Sequence, residues 1–175
     1  MGVSTFSVLS FIFSLANAIL SGVAQGLQPL WGLGYGKKDL EEIRYYLRRG
    51  ILINLAFSCI IYIILFLFDE EVIRIFNRDA ALVEMASAAL PIFALSFIPM
   101  AFNLIYTALF FSTKRTAQAN MIAVSRGVVA KALCIFCIPM LWGPEKVWYA
   151  AVASEALTLC IVLVLVRTGR DHTER

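Results

Sequence analysis

Charge is what this sequence has least of. Only 15% of its 175 residues are Asp, Glu, Lys or Arg, and 61% are hydrophobic, against about 25% and roughly 45–50% in an ordinary soluble domain. A soluble domain of this length buries about 70% of its unfolded surface, which would still leave too much apolar material in water. A water-soluble globule is therefore excluded. The single histidine, His172, stands in the tail, and the four cysteines, Cys59, Cys134, Cys137 and Cys160, all lie inside apolar runs, so no zinc or other metal site can be assembled. Cys134 and Cys137 form a C-x-x-C without the second ligand pair or the βαβ context that would suggest redox chemistry, and all four read as small buried thiols. No constellation of nucleophile, base and metal ligand is present, which argues against an enzyme and against any cofactor. No charge precedes Lys37, so the basic start of a cleaved signal peptide is missing and the first run reads as a mature helix. The 15 Lys and Arg against 12 Asp and Glu form short clusters instead of a basic patch, so nucleic acid is not expected as a partner. Alternating strands of an outer-membrane barrel are absent too, as is any low-complexity stretch.

What the sequence has is long apolar runs, of the length needed to cross roughly 30 Å of hydrocarbon. In lipid every backbone polar group must be satisfied within the chain, so the spanning elements are helices. The fold class is all-α: a polytopic transmembrane bundle forming one domain over 1–175, with spans at about 5–33, 50–68, 82–112, 119–141 and 147–166. Gly34-Tyr35-Gly36 reads as the break that ends the first span. In the basic loop Lys37 to Arg49, the capping-box spacing of Asp39 and Glu42 and the apolar face of Ile43, Tyr46 and Leu47 predict a short interfacial helix. Val72 to Phe76, after the acidic Asp69-Glu70-Glu71, reads as an interfacial turn before Asn77-Arg78-Asp79. Pro91 and Pro99 should bend the third span, and Pro29 the end of the first. The fourth span ends at Pro139 and Gly143-Pro144 and carries Arg126 and Lys131 in its first half, cations that can snorkel or pair within a bundle.

Loop charge gives an orientation. The loop after span one, the stretch Lys114 to Lys131 and the tail from Arg167 hold five, four and three Lys or Arg, and the remaining loops hold only Arg74, Arg78 and Lys146. The positive-inside rule makes the first group cytoplasmic, so a multi-pass protein of the cell (inner) membrane with a cytoplasmic C-terminus is expected. Five spans then leave Met1 outside with no export signal ahead of it. At least one preceding helix is expected to be missing.

Polar residues inside the spans are patterned. At about 100° per residue, Ser7, Ser10, Ser14, Asn17, Ser21, Gln25 and Gln28 share one stripe about 80° wide. Gly22 and Gly26, a G-x-x-x-G pair, lie roughly 100° or more from its centre and suit close helix packing. Asn54, Ser58 and Tyr62 repeat the pattern in span two, and Ser96, Asn103 and Thr107 in span three. Either these residues hydrogen-bond between helices or they line a shared hydrated cavity, for which Asn17, Ser21, Gln25, Gln28, Asn54, Asn103 and Tyr106 are the candidate wall. Glu155, the one carboxylate deep within a span, is near mid-membrane and is the candidate for proton or cation coupling. The competing role is a structural pair with Arg126 or Lys131, or a permanently protonated acid.

Gly22-Val-Ala-Gln-Gly-Leu-Gln-Pro-Leu30 with Tyr35-Gly-Lys-Lys-Asp39 and Arg44, Val72-Ile-Arg-Ile-Phe76 with Asp79 and the helix from Leu90 to Phe97, and Arg126-Gly-Val-Val129 with Pro139, Gly143, Val147-Trp148 and Ala150 resemble, in order and spacing, the multidrug and toxic compound extrusion (MATE) transporters. The resemblance implies twelve helices in two six-helix lobes, of which this chain is similar to the C-terminal lobe without its first helix. It implies export of organic cations or other xenobiotics by antiport with H⁺ or Na⁺. The partners implied are membrane lipid, small amphipathic or cationic substrates, and a missing first lobe or partner chain. The acidic residue that several members carry in the lobe's fourth helix has no counterpart from Met85 to Thr113, which leaves coupling to Glu155 or to a lobe not present. A lipid-linked precursor flippase of the same superfamily and a non-transporting truncated subunit are the alternatives.

Overall fold

In the computed structural model, residues 2–77, 79–143 and 146–171 are described. Arg78, Pro144 and His172, read above as loop, helix end and tail, lie outside them. Seven helices follow one another among the described residues: α1 (Gly2–Lys37), α2 (Leu40–Leu67), α3 (Asp69–Phe76), α4 (Ala80–Ala94), α5 (Phe97–Ser112), α6 (Thr116–Trp142) and α7 (Tyr149–Asp171). α1, α2, α6 and α7 are each long and apolar enough to cross a membrane, and α4 with α5 makes a fifth, broken span bent by 45°. Only 22–28% of the most apolar window of each unbroken span is buried inside the protein. The exposed remainder, studded with Phe11, Leu52, Phe57, Ile63, Phe136 and Leu163, must therefore be covered by lipid or by another apolar surface.

α1 shows why one sequence serves two environments. Leu9, Ile12, Ala16, Leu20, Ala24 and Trp31 recur at helical spacing and are all buried, forming a face that packs on α2, α4 and α5. The polar stripe stands about 110° round the helix from that face. α5 is the hub, packed against α1, α2, α6 and α7. Where α1 and α2 pack together, a Cβ at Gly50 would meet the end of the Leu27 side chain, which would have to move, and would touch Ile105 and Trp31.

The helix ends correct several expectations. α1 runs unbroken through Gly34-Tyr35-Gly36 to Lys37, with Pro29 inside it. Neither glycine adopts a left-handed conformation; that role falls to Lys38, with φ 60°. There the Lys38 N–H bonds to the Tyr35 carbonyl at 3.1 Å and the Asp39 N–H to the Gly34 carbonyl at 2.9 Å, the paired bonds of a Schellman terminus. α5 ends in the same way on Lys114, φ 59°, with Arg115 N–H on the Phe110 carbonyl at 2.8 Å. Asp39 caps α2 as its spacing predicts, accepting from the Glu42 N–H at 2.9 Å, while Glu42 turns to Lys37 instead of closing the box. The short helix expected in the basic loop is no separate element. With no proline between Leu40 and Leu67, and Gly50 tolerated inside the helix, it is the first part of α2.

Val72 to Phe76 belongs to a helix of eight residues, α3, with Asp69, Glu70 and Glu71 in its first turn and Arg74 in its last, charges that complement the helix dipole. In the broken span the bend falls at Leu95 and Ser96. Pro99 sits in the first turn of α5, where a missing N–H is tolerated; the Leu95 carbonyl, which that N–H would have bonded, is met by Ile98 N–H at 3.4 Å. The Ser96 hydroxyl donates to the Phe93 carbonyl at 2.7 Å and caps the broken end. α6 passes Pro139 and stops at Gly143, φ 96°. α7 extends beyond Val166 to Asp171. The cysteines are not buried thiols: Cys137 and Cys160 are exposed and Cys59 and Cys134 half-buried, because the outer faces of these helices need only be apolar, which a thiol is.

Candidate functional site: a polar cluster on a membrane cavity

α6 carries a local irregularity that the sequence reading missed. From Ser125 to Val129 the helix widens to a π turn, with the Ala130 N–H reaching back five residues to Ser125. Such a turn accommodates one extra residue and is frequent at functional sites. It holds Arg126, a cation within an otherwise apolar span.

That guanidinium gathers three other helices. Arg126 Nε lies 3.0 and 3.2 Å from the two carboxylate oxygens of Glu155 on α7, and its NH2 donates to Asn17 Oδ1 on α1 at 2.6 Å. Asn103 on α5 donates to the Glu155 side chain at 2.9 Å and to its backbone carbonyl at 3.0 Å. Glu155 is only 1% exposed. A buried carboxylate is costly unless it is paired and hydrogen-bonded, and here both conditions are met. The pair of Glu155 with Arg126 that the sequence offered is formed in this structure.

The cluster borders a cavity of about 620 Å³ between α1 and the pair α6 and α7, floored by Phe93 of α4. Ser10, Ser14 and Asn17 of the α1 stripe line it, with Thr107, Arg126 and Lys131; Phe6, Phe13, Phe93, Ile135 and Trp148 make its apolar wall. Lys131 Nζ stands 4.6 Å from the centroid of the Phe13 ring, a cation–π contact. This is the chemistry of a small-molecule site, mostly apolar with a few placed polar groups.

Of the residues expected to form the wall, Asn17 lines the cavity. Asn103 stands behind the wall, holding Glu155. Asn54 is fully buried between α2 and α5, where it donates to the Ala101 carbonyl at 2.9 Å. Ser21 and Gln28 are half-buried and Gln25 exposed further along α1, outside this cavity. Tyr106 packs against Phe110. Gly22 and Gly26 have nothing within 4 Å of a Cβ position, so the face that packs α1 within the chain is the Leu9 to Trp31 face. Thr107 comes from the polar pattern read in span three, and Phe13, Trp148 and the Arg126–Asn17 contact are the additions. The last was open to sequence reasoning, since a cation within a span needs acceptors and the α1 stripe offers them.

A multi-pass helical membrane protein with a polar cluster beside an apolar cavity is the class these features define. The sequence model of the MatE family matches residues 1–136, and the chain belongs to that family. It is 21% identical, over 98% of its length, to the multidrug export protein MepA of Staphylococcus saprophyticus, of which the match covers 39%. It is 19% identical, over 97% of its length, to MepA of Staphylococcus aureus, covering 37% of that protein. With the probable multidrug resistance protein NorM of Thermotoga maritima it shares 31% identity over 42% of the chain, which is 16% of that protein. The chain thus spans less than two fifths of the length of these relatives. No solved structure matches it.

Proposed function

We propose that the chain forms part of a multidrug efflux transporter in the cell membrane, moving amphipathic xenobiotics by antiport with H⁺ or Na⁺. The observation that carries this reading is the cavity between α1, α6 and α7, bordered by a four-helix hydrogen-bond cluster that contains a buried carboxylate, Glu155. The family and the names of the relatives point the same way. Alternating access through rocking of two lobes about the cavity needs a second lobe, which the whole transporter or a partner chain would supply. The orientation proposed is with the basic ends cytoplasmic. Its support is that Lys38 and Lys114 line one cleft, and that Val162 and Leu165 near the end of α7 pack on Phe110, Ala119 and Ile122 beside the second basic turn.

In this reading Glu155 exchanges Arg126 for a proton or a sodium ion during the cycle. The experiment is drug efflux from cells making the whole transporter with Glu155→Gln. The expected result is loss of gradient-coupled efflux at an unchanged membrane level of protein; efflux at the original rate would overturn the coupling role. The flippase alternative keeps one specific support, that Arg126 and Lys131 both line the cavity. Translocation of a lipid-linked sugar by the same cells, without efflux of ethidium, would favour it.

A further inference from the structure

The polar stripe of α1 does not end with the cavity. Ser10, Ser14 and Asn17 line the cavity, and Gly32 and Tyr35 line the cleft of Lys38 and Lys114 at the other end of the helix. At about 100° per residue, Gly32 and Tyr35 fall on the same side of α1 as those three, and so do Ser21, Gln25 and Gln28 between them. None of these eight residues is buried. From Ser10 to Tyr35 the stripe runs roughly 38 Å, more than the hydrocarbon thickness, and an amide facing lipid without a partner is costly. One face of α1 thus joins the cavity to the cleft across the membrane.

Asn17 stands at the join. It is the last residue of α1 on the cavity, and Arg126 reaches it at 2.6 Å. α1 packs on α2, α4 and α5, and the cavity separates it from α6 and α7, so this hydrogen bond spans a gap. Toward the basic ends the cavity continues past the bond, to Thr107 of α5 and Ala123 of α6. Arg126 meets Glu155 through Nε and Asn17 through a terminal nitrogen. The contact with Asn17 can therefore break while the buried pair stays intact.

We infer that cargo moves between the cleft and the cavity along this face, past Gln28, Gln25 and Ser21, and that the Asn17–Arg126 hydrogen bond is the bar across that route, opened when Arg126 lets go of Asn17. This rests on the reading of the cavity as the cargo site and adds its entrance and gate. The wall facing α1 along the route would come from the rest of the transporter.

The test is thiol labelling from each side of the membrane, with the whole transporter, free of native cysteines, in right-side-out and inside-out vesicles. The probe is a negatively charged, impermeant methanethiosulfonate, and Lys38→Cys marks the basic side. Gln25→Cys is expected to react from the basic side and Ser14→Cys from the opposite side alone. Adding Asn17→Ala is expected to speed labelling of Ser14→Cys from the basic side about tenfold or more, as losing one charge-assisted hydrogen bond warrants. Asn17→Asp, which keeps an acceptor for Arg126, is expected to leave it slow. Unchanged labelling of Ser14→Cys from the opposite side shows that the variants fold. Silence of Gln25→Cys from the basic side, reaction of Ser14→Cys from that side with Asn17 intact, no acceleration by Asn17→Ala, or equal acceleration by Asn17→Asp would each overturn the inference while leaving the cavity in place. Silence of Ser14→Cys from both sides would overturn the cavity reading with it.

Discussion

Arg126 on α6 and Glu155 on α7 meet side on, Nε 3.0 Å from one carboxylate oxygen and 3.2 Å from the other. They stand 29 residues apart in the sequence, and the pair ties together the two helices that face α1 across the cavity. Because Glu155 is buried, removing either partner strands the other. In a double-mutant cycle with Arg126→Gln and Glu155→Gln, each single change is expected to lower thermal stability in detergent. The double change should recover part of the loss, a coupling of about 1–3 kcal/mol. Additive losses would mean that the contact contributes nothing to the fold.

Asn103 is the second support of Glu155, donating to its side chain and its backbone. Asn103→Asp replaces those donors with acceptors and sets a second acid against the first, whereas Asn103→Ser merely shortens the reach. The aspartate variant is expected to be the less stable of the two by about 1–3 kcal/mol at neutral pH. Equal stabilities by thermal melting would show that the amide donates nothing of consequence.

The two left-handed lysines give a prediction of the opposite sign. Lys38 and Lys114 occupy positions that favour glycine, so Lys38→Gly and Lys114→Gly are each expected to stabilise the protein by about 1 kcal/mol, and Lys→Ala at the same sites is not. A melting temperature lowered by both glycine variants would contradict the assignment of these helix ends.

At Gly50 only the end of the Leu27 side chain stands where a Cβ would go. Gly50→Leu forces a branched side chain between Leu27, Ile105 and Trp31, and a loss of about 1–3 kcal/mol or more is expected from overpacking. Gly50→Ala should cost less, since the nearest atom is the end of the flexible Leu27 side chain. Equal melting temperatures for all three residues would place α1 and α2 further apart than described.

The spans were legible because each is a long run whose composition allows little else, and Asp39 was legible as a cap because its side chain acts three residues away. The stop of α1 was not. Two glycines near a helix end suggest a break, yet the chain turned at the following lysine, where paired carbonyl bonds offset the strain of a left-handed residue. The π turn left no trace in periodicity, because one extra residue in an apolar run shifts the pattern without breaking it. The site divided in the same way. A polar stripe can be read from angles on one helix, and Asn17 lay on it. Whether Asn54 faces a cavity or another helix depends on where α5 sits, which no single helix specifies.

The most direct test of the central claim, that the stripe of α1 faces a cavity open to water and cargo, is thiol labelling by position. In a variant lacking Cys59, Cys134, Cys137 and Cys160, a single cysteine is placed at Ser14 on the cavity wall or at Ile19 on the exposed apolar face, and a charged, membrane-impermeant thiol reagent is applied. Labelling of Ser14→Cys, slowed by bound cargo, with Ile19→Cys unreactive, is the expected result. Equal silence at both positions, or reaction at Ile19→Cys alone, would contradict the cavity.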